Sequence, residues 1–216
     1  MIEQLDMSSV KNHYDERFRC HQKLVSLFSN NNTEEYLNLA LGISDPCGNY
    51  SASEHHLGER ILANNSHNSH NAITNLAHSL FDANNTRLML ESIYRANLSH
   101  LKISVGSEMA MMLKPDVFWV GNVRTIWTHL LCKHNYDLNL ANEELALYRD
   151  QNSDSEMYYK IWSEIYRLMN VRDNSSIDKI CDAANDVSLS QNVETGKLKY
   201  MWFDAISSGL YDKFAN

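Results

Sequence analysis

The chain has 216 residues, enough for one large domain with a substantial core. Its 2 prolines and 7 glycines are too few for the closely spaced turns of sandwiches and barrels, and 44% hydrophobic residues exclude wholesale disorder. A formal charge of −8 with no run of Lys or Arg excludes the basic stripe of a non-specific nucleic-acid binder, and DNA is not an expected partner.

In chain order, helical periodicity predicts a first helix over about 8–28, with Tyr14, Phe18, Leu24, Val25 and Phe28 inward. Asn30-Asn31-Asn32-Thr33 breaks it, and Thr33 is the expected N-cap of a short helix through Leu41. Ser44-Asp-Pro-Cys-Gly-Asn49 is the strongest turn cluster. Ser51-Ala-Ser-Glu54 reads as a capping box before a helix carrying Leu57, Ile61 and Leu62. The polar run 64–71 reads as a solvated loop. Helices are expected at about 71–83, 86–104 and 107–113.

Pro115 to His134 is the most apolar stretch, and it predicts a buried central helix over 116–131, started by the proline and the most buried in the protein. Ala141–Arg149 follows. A long helix is then opened by a second capping box, Ser153-Asp-Ser-Glu156, with Met157, Ile161, Ile165 and Leu168 as its apolar stripe. Helices over about 175–187 and 195–214 close the chain. The fold expected is all-α: a single-domain helical bundle over residues 1–216, of about seven to nine helices around the 116–131 helix. No fixed-period repeat is present, which speaks against a solenoid.

Cys20, Cys47, Cys132 and Cys181 are isolated, with no Cys-x-x-Cys pair for zinc or redox work. The first residues show no basic segment followed by an apolar one, and no apolar run approaches the roughly 20 residues that cross a bilayer. The expected location is the cytoplasm, with reduced thiols, no membrane partner and no cofactor.

Arg124-Thr-Ile-Trp-Thr-His129 places an arginine and a histidine five residues apart in the apolar stretch. The imidazole suits proton transfer at a 2′-hydroxyl, and the guanidinium suits charge growing on phosphoryl oxygens. This Arg-x4-His spacing resembles the signature of the HEPN superfamily, small helical bundles that include metal-independent ribonucleases of toxin and defence systems. The resemblance covers six residues. It implies catalytic roles for Arg124 and His129 in a cleft shared by two protomers, with RNA as the substrate. Arg95/His100 and Arg60/His67 show that similar spacings recur in this histidine-rich chain. The competing reading is that Arg124 and His129 pair polar groups at the rim of a buried helix.

His55, His56, Glu59, His67, His70, His78 and His100 crowd one region, but at no spacing typical of a metal site, and none is expected. Thr33 to Pro46 looks like the first helix and turn of a DNA-binding module. The recognition helix would then begin at Asp45-Pro46-Cys47-Gly48-Asn49, which holds a helix breaker and no base-reading Arg or Lys. Trp119, Trp202 and Phe203 are the candidate ligand or partner surface among the aromatics. The expected function is that of a non-catalytic helical interaction, scaffold or regulatory protein with a protein partner or a second copy of itself. The alternatives are the HEPN-like ribonuclease and a helical small-ligand binder.

Overall fold

Few glycines and prolines interrupt this backbone, so i to i+4 bonding runs along most of it. The computed structural model describes residues 1–64, 69–149, 156–169 and 175–215. Among these the regular elements are α-helices and two 3-10 turns, Ile2–Gln4 and Pro46–Gly48, and there is no strand. The helices are α1 Met7–Ser29, α2 Thr33–Ala40, α3 Tyr50–Ser53, α4 Leu57–Asn64, α5 Ser69–Asp82, α6 Thr86–Ala96, α7 Ile103–Leu113, α8 Val123–Lys133, α9 Leu138–Arg149, α10 Glu156–Met169, α11 Ser176–Ser190 and α12 Lys199–Phe214. These twelve are more numerous and shorter than the seven to nine expected. No described helix is long and apolar enough to cross a membrane. The capping box expected at Ser153–Glu156 falls on 153–155, outside the described residues, as does most of the polar loop (65–68).

Two compact units are present: residues 1–15 with 121–216, and residues 16–120. Helix α1 contributes to both. In the 1–15/121–216 unit, α8 packs on α9, α11 and α12, and the Ile2–Gln4 turn packs on α11. Leu198, the N-cap position of α12, makes no side-chain cap bond. Tyr14 substitutes, its hydroxyl accepting the backbone N–H groups of Lys197 (3.0 Å) and Leu198 (3.1 Å). In the 16–120 unit, α5, α6 and α3 pack around α7. Every residue of α7 except Ser104 is buried, whereas the buried run of α8 spans only Thr125–Leu131. Helix α7 is therefore more fully enclosed than α8.

The central helix expected over 116–131 needs correction. Helix α7 ends at Leu113, and Val117 and Phe118 both turn their N–H groups back onto the Lys114 carbonyl. Helix α8 begins only at Val123. Asn122, in extended conformation, caps it by accepting the Thr125 N–H at 3.0 Å, while Thr125 Oγ1 accepts the Asn122 N–H at 3.2 Å. Phe118, Trp119 and Val120 are buried without being helical. Pro115 lies in a turn and starts nothing.

Other boundaries shift for equally local reasons. The helix expected over 86–104 breaks after Ala96, because Asn97 takes the left-handed conformation (φ 46°) that ends α6. Asn32, not Thr33, holds the N-cap position of α2. The Ser51–Glu54 box is replaced by Asn49, whose side chain accepts the Ala52 N–H at 3.0 Å.

Candidate functional site

Arg124 and His129 both lie on α8, about 140° apart around its axis at 3.6 residues per turn. His129 is 8% exposed, and its Nδ1 is hydrogen-bonded to Ser176 Oγ at 2.7 Å. Burial, and after it the nearby Lys133 cation, push its pKa down to about 4. The Nε of Arg124 lies 3.8 Å from Asp212 Oδ1, and its side chain is about a quarter exposed. The imidazole is thus enclosed and neutral, and the guanidinium faces a carboxylate on α12. Trp119, Trp202 and Phe203 are 3%, 2% and 0% exposed, so none of the three offers a surface. Trp202 donates to Asn185 Oδ1 at 3.0 Å and meets Tyr14 edge to face, which is core packing.

Because the folded-state pKa of His129 lies below the unfolded value of about 6.5, the unfolded chain binds the extra proton first. The stability contributed by neutral His129 is complete above pH 6.5 and is lost as pH falls toward 4, by about 3 kcal/mol in all. Urea unfolding at pH 7 and pH 4.5 should show this loss in wild type. His129→Gln should show a correspondingly shallower pH dependence. Equal slopes in the two proteins would mean that His129 protonates as freely folded as unfolded.

The histidine-rich region does not converge. His78 packs on Phe28 with ring centroids 4.9 Å apart, and His100 Nε2 lies 3.1 Å from Asn64 Nδ2. His67 is outside the described residues. Among the described residues no three His, Cys, Asp or Glu side chains are grouped to hold a metal ion.

A different polar constellation, unforeseen from the sequence, lies in the 16–120 unit. Arg17 and Glu108 form an ion pair at 2.7 Å with side chains 0% and 1% exposed. The Glu108 carboxylate also accepts the backbone N–H groups of Tyr50 (2.8 Å) and Ser51 (2.9 Å) at the start of α3. Arg17 donates to the Cys47 carbonyl at 2.8 Å, and its guanidinium lies over the Tyr50 ring, 5.1 Å from the centroid. Asn49, fully buried, donates to the Ala40 and Val105 carbonyls, each at 3.1 Å. The 45–51 segment is therefore tied to α1, α2 and α7. Two glycines permit this approach. Gly42 turns the chain out of α2 at φ +66°, and a Cβ on Gly48 would lie 1.8 Å from the Leu39 carbonyl oxygen.

Above this platform α1 and the 45–47 turn border a groove of about 400 Å³ lined by Glu16, Arg19, Cys20, Lys23, Asp45 and Cys47. One signal of the platform was legible. Met7, Val10, Tyr14, Arg17, Cys20 and Leu24 are the buried stripe of α1, and Arg17 holds an apolar position in it. Glu108 sits likewise inside the apolar run of α7. What joins them is tertiary.

Comparison with known protein families, with curated proteins and with solved structures finds no match, so the chemistry of these sites rests on their own geometry.

Proposed function

We propose that the protein works by binding, without catalysis, as a helical interaction or regulatory protein whose partner is another protein or a second copy of the chain. One observation supports this above the others. Both members of the pair suited to RNA cleavage have partners within the chain, His129 enclosed on Ser176 and Arg124 in a surface ion pair with Asp212. A general base must reach the proton it removes, and an imidazole with a pKa near 4 is a poor acceptor at neutral pH. The net charge of −8 also opposes the approach of a polyanion.

The experiment is an RNase assay on single-stranded RNA with EDTA, comparing wild type with His129→Ala and Arg124→Lys. The expected result is no cleavage above background in any of the three. His129→Ala should lose about 1–3 kcal/mol, through a cavity and an unpartnered Ser176 hydroxyl. Arg124→Lys should lose less than about 1 kcal/mol, as for other surface ion pairs. EDTA-resistant cleavage in wild type that disappears in both variants would overturn this reading in favour of a HEPN-like ribonuclease.

A further inference from the structure

The groove over the Arg17–Glu108 platform has the volume of a small-molecule site. Glu16, Arg19, Cys20 and Lys23 share one face of α1 at i, i+3, i+4 and i+7, and Asp45 and Cys47 face them from the turn. Glu16, Arg19, Lys23 and Asp45 have no ion-pair partner among the described residues, so two cations and two carboxylates stand around it, balanced in charge. Of the two thiols, Cys20 is buried, and its pKa is pushed up to about 12, chiefly by burial. Cys47 is half-exposed, with its sulfur 3.1 Å from the Tyr50 hydroxyl. Its backbone is held on both sides, the N–H by Asp45 Oδ1 at 2.9 Å and the carbonyl by Arg17.

We infer that this groove is a thiolation site: it docks a small zwitterionic disulfide, and Cys47 exchanges with that disulfide to form a mixed disulfide. This goes beyond the binding function proposed above and does not depend on it. Carboxylates of the ligand meet Arg19 and Lys23, and its ammonium groups meet Glu16 and Asp45. The Cys47 thiolate attacks one sulfur of the ligand, and a new S–S bond forms as the old one breaks. The released thiolate takes up the proton that Cys47 gave, so the small disulfide is itself the oxidant. Burial, and with it the Asp45 and Glu16 carboxylates, push the Cys47 thiol up, and the Tyr50 hydroxyl works against this by hydrogen bonding to the sulfur. The Tyr50 hydroxyl is itself held protonated by burial, which suits it to donate to the thiolate. Cys20, harder to ionise, forms the wall of the site and does not attack.

The test treats the reduced, full-length protein with oxidised glutathione or with neutral 2-hydroxyethyl disulfide, and reads adducts by intact mass and peptide mapping. Glutathione should add at Cys47 and be removed by dithiothreitol. Relative to the neutral reagent, its rate at Cys47 should exceed that at Cys132, the other half-exposed thiol, by about tenfold. That preference should vanish in the Arg19→Gln/Lys23→Gln variant, whose exposed positions leave folding intact, and should shrink at high salt. Cys47→Ser, folded by circular dichroism, should take no adduct on peptide 45–50. No adduct at Cys47, an equal preference at Cys132, or a preference that survives in the double variant would each overturn the assignment.

Discussion

Replacing Glu108 with alanine is expected to destabilise the protein by about 3–5 kcal/mol, among the largest single losses available to it. The carboxylate compensates a fully buried guanidinium and accepts two backbone N–H groups at the start of α3. Its removal leaves the Arg17 charge in a low-dielectric interior, held by the Cys47 carbonyl but without its counter-charge. Two amide donors lose their acceptor at the same time. A double variant, Arg17→Met with Glu108→Met, should recover much of the loss, since apolar side chains of similar volume often replace a buried ion pair at little net cost. Recovery should stay incomplete, because Tyr50 and Ser51 still lack an acceptor. Urea unfolding of the two variants beside wild type measures both effects. A loss under about 1 kcal/mol in Glu108→Ala would show that water reaches Arg17 freely. The same substitution should loosen the 45–51 segment, so Cys47 should alkylate faster with a neutral reagent.

Trp127→Ala should cost about 3–5 kcal/mol in the other unit. The Trp127 side chain is wholly enclosed, and it joins three helices at once. It extends α8, its indole N–H donates to Asn142 Oδ1 on α9 at 2.7 Å, and its ring meets Tyr211 of α12 edge to face at 5.5 Å. Alanine removes the largest side chain in the α8 core and cannot be compensated by small shifts in a close-packed interior. Trp127→Phe separates the contributions. It keeps an aromatic partner for Tyr211 but abandons Asn142, so the expected loss is about 1–2 kcal/mol. Equilibrium unfolding reads both. If Trp127→Ala unfolds with wild type, the three-helix junction does not depend on this ring.

Much of the helical architecture follows from local pattern. Scarce glycine and proline with 3.6-residue periodicity demand helices, and of the five inward positions expected in α1, Tyr14 and Leu24 are buried whereas Phe18, Val25 and Phe28 are only half-buried. Local pattern misleads where a polar side chain or an unusual backbone state ends a helix. Phe118, Trp119 and Val120 look like helix from composition. Their burial satisfies the same hydrophobic demand in a non-helical connection, and the Asn122–Thr125 cap starts α8 later. The turn at Asn97 is similarly silent, because Asn residues are common throughout this chain and, among the described ones, only Asn31, Asn97, Asn135 and Asn192 take the left-handed conformation.

The candidate sites divide in the same way. Arg124 and His129 can be picked out as residue types at a spacing, but their partners, Asp212 and Ser176, lie on α12 and α11 and are chosen by packing. The aromatic residues Trp119, Trp202 and Phe203 announce large apolar area, which serves a core or a surface equally well, and the tertiary structure assigns it to the core. From the sequence alone come the helical class, the acidic charge and the turn at 44–49. The pairing of Arg17 with Glu108, and the groove beside Cys47, were decided only in three dimensions. Periodicity reports which face of a helix avoids water, whereas a buried charge is tolerable only where a distant segment delivers its counter-charge and hydrogen bonds.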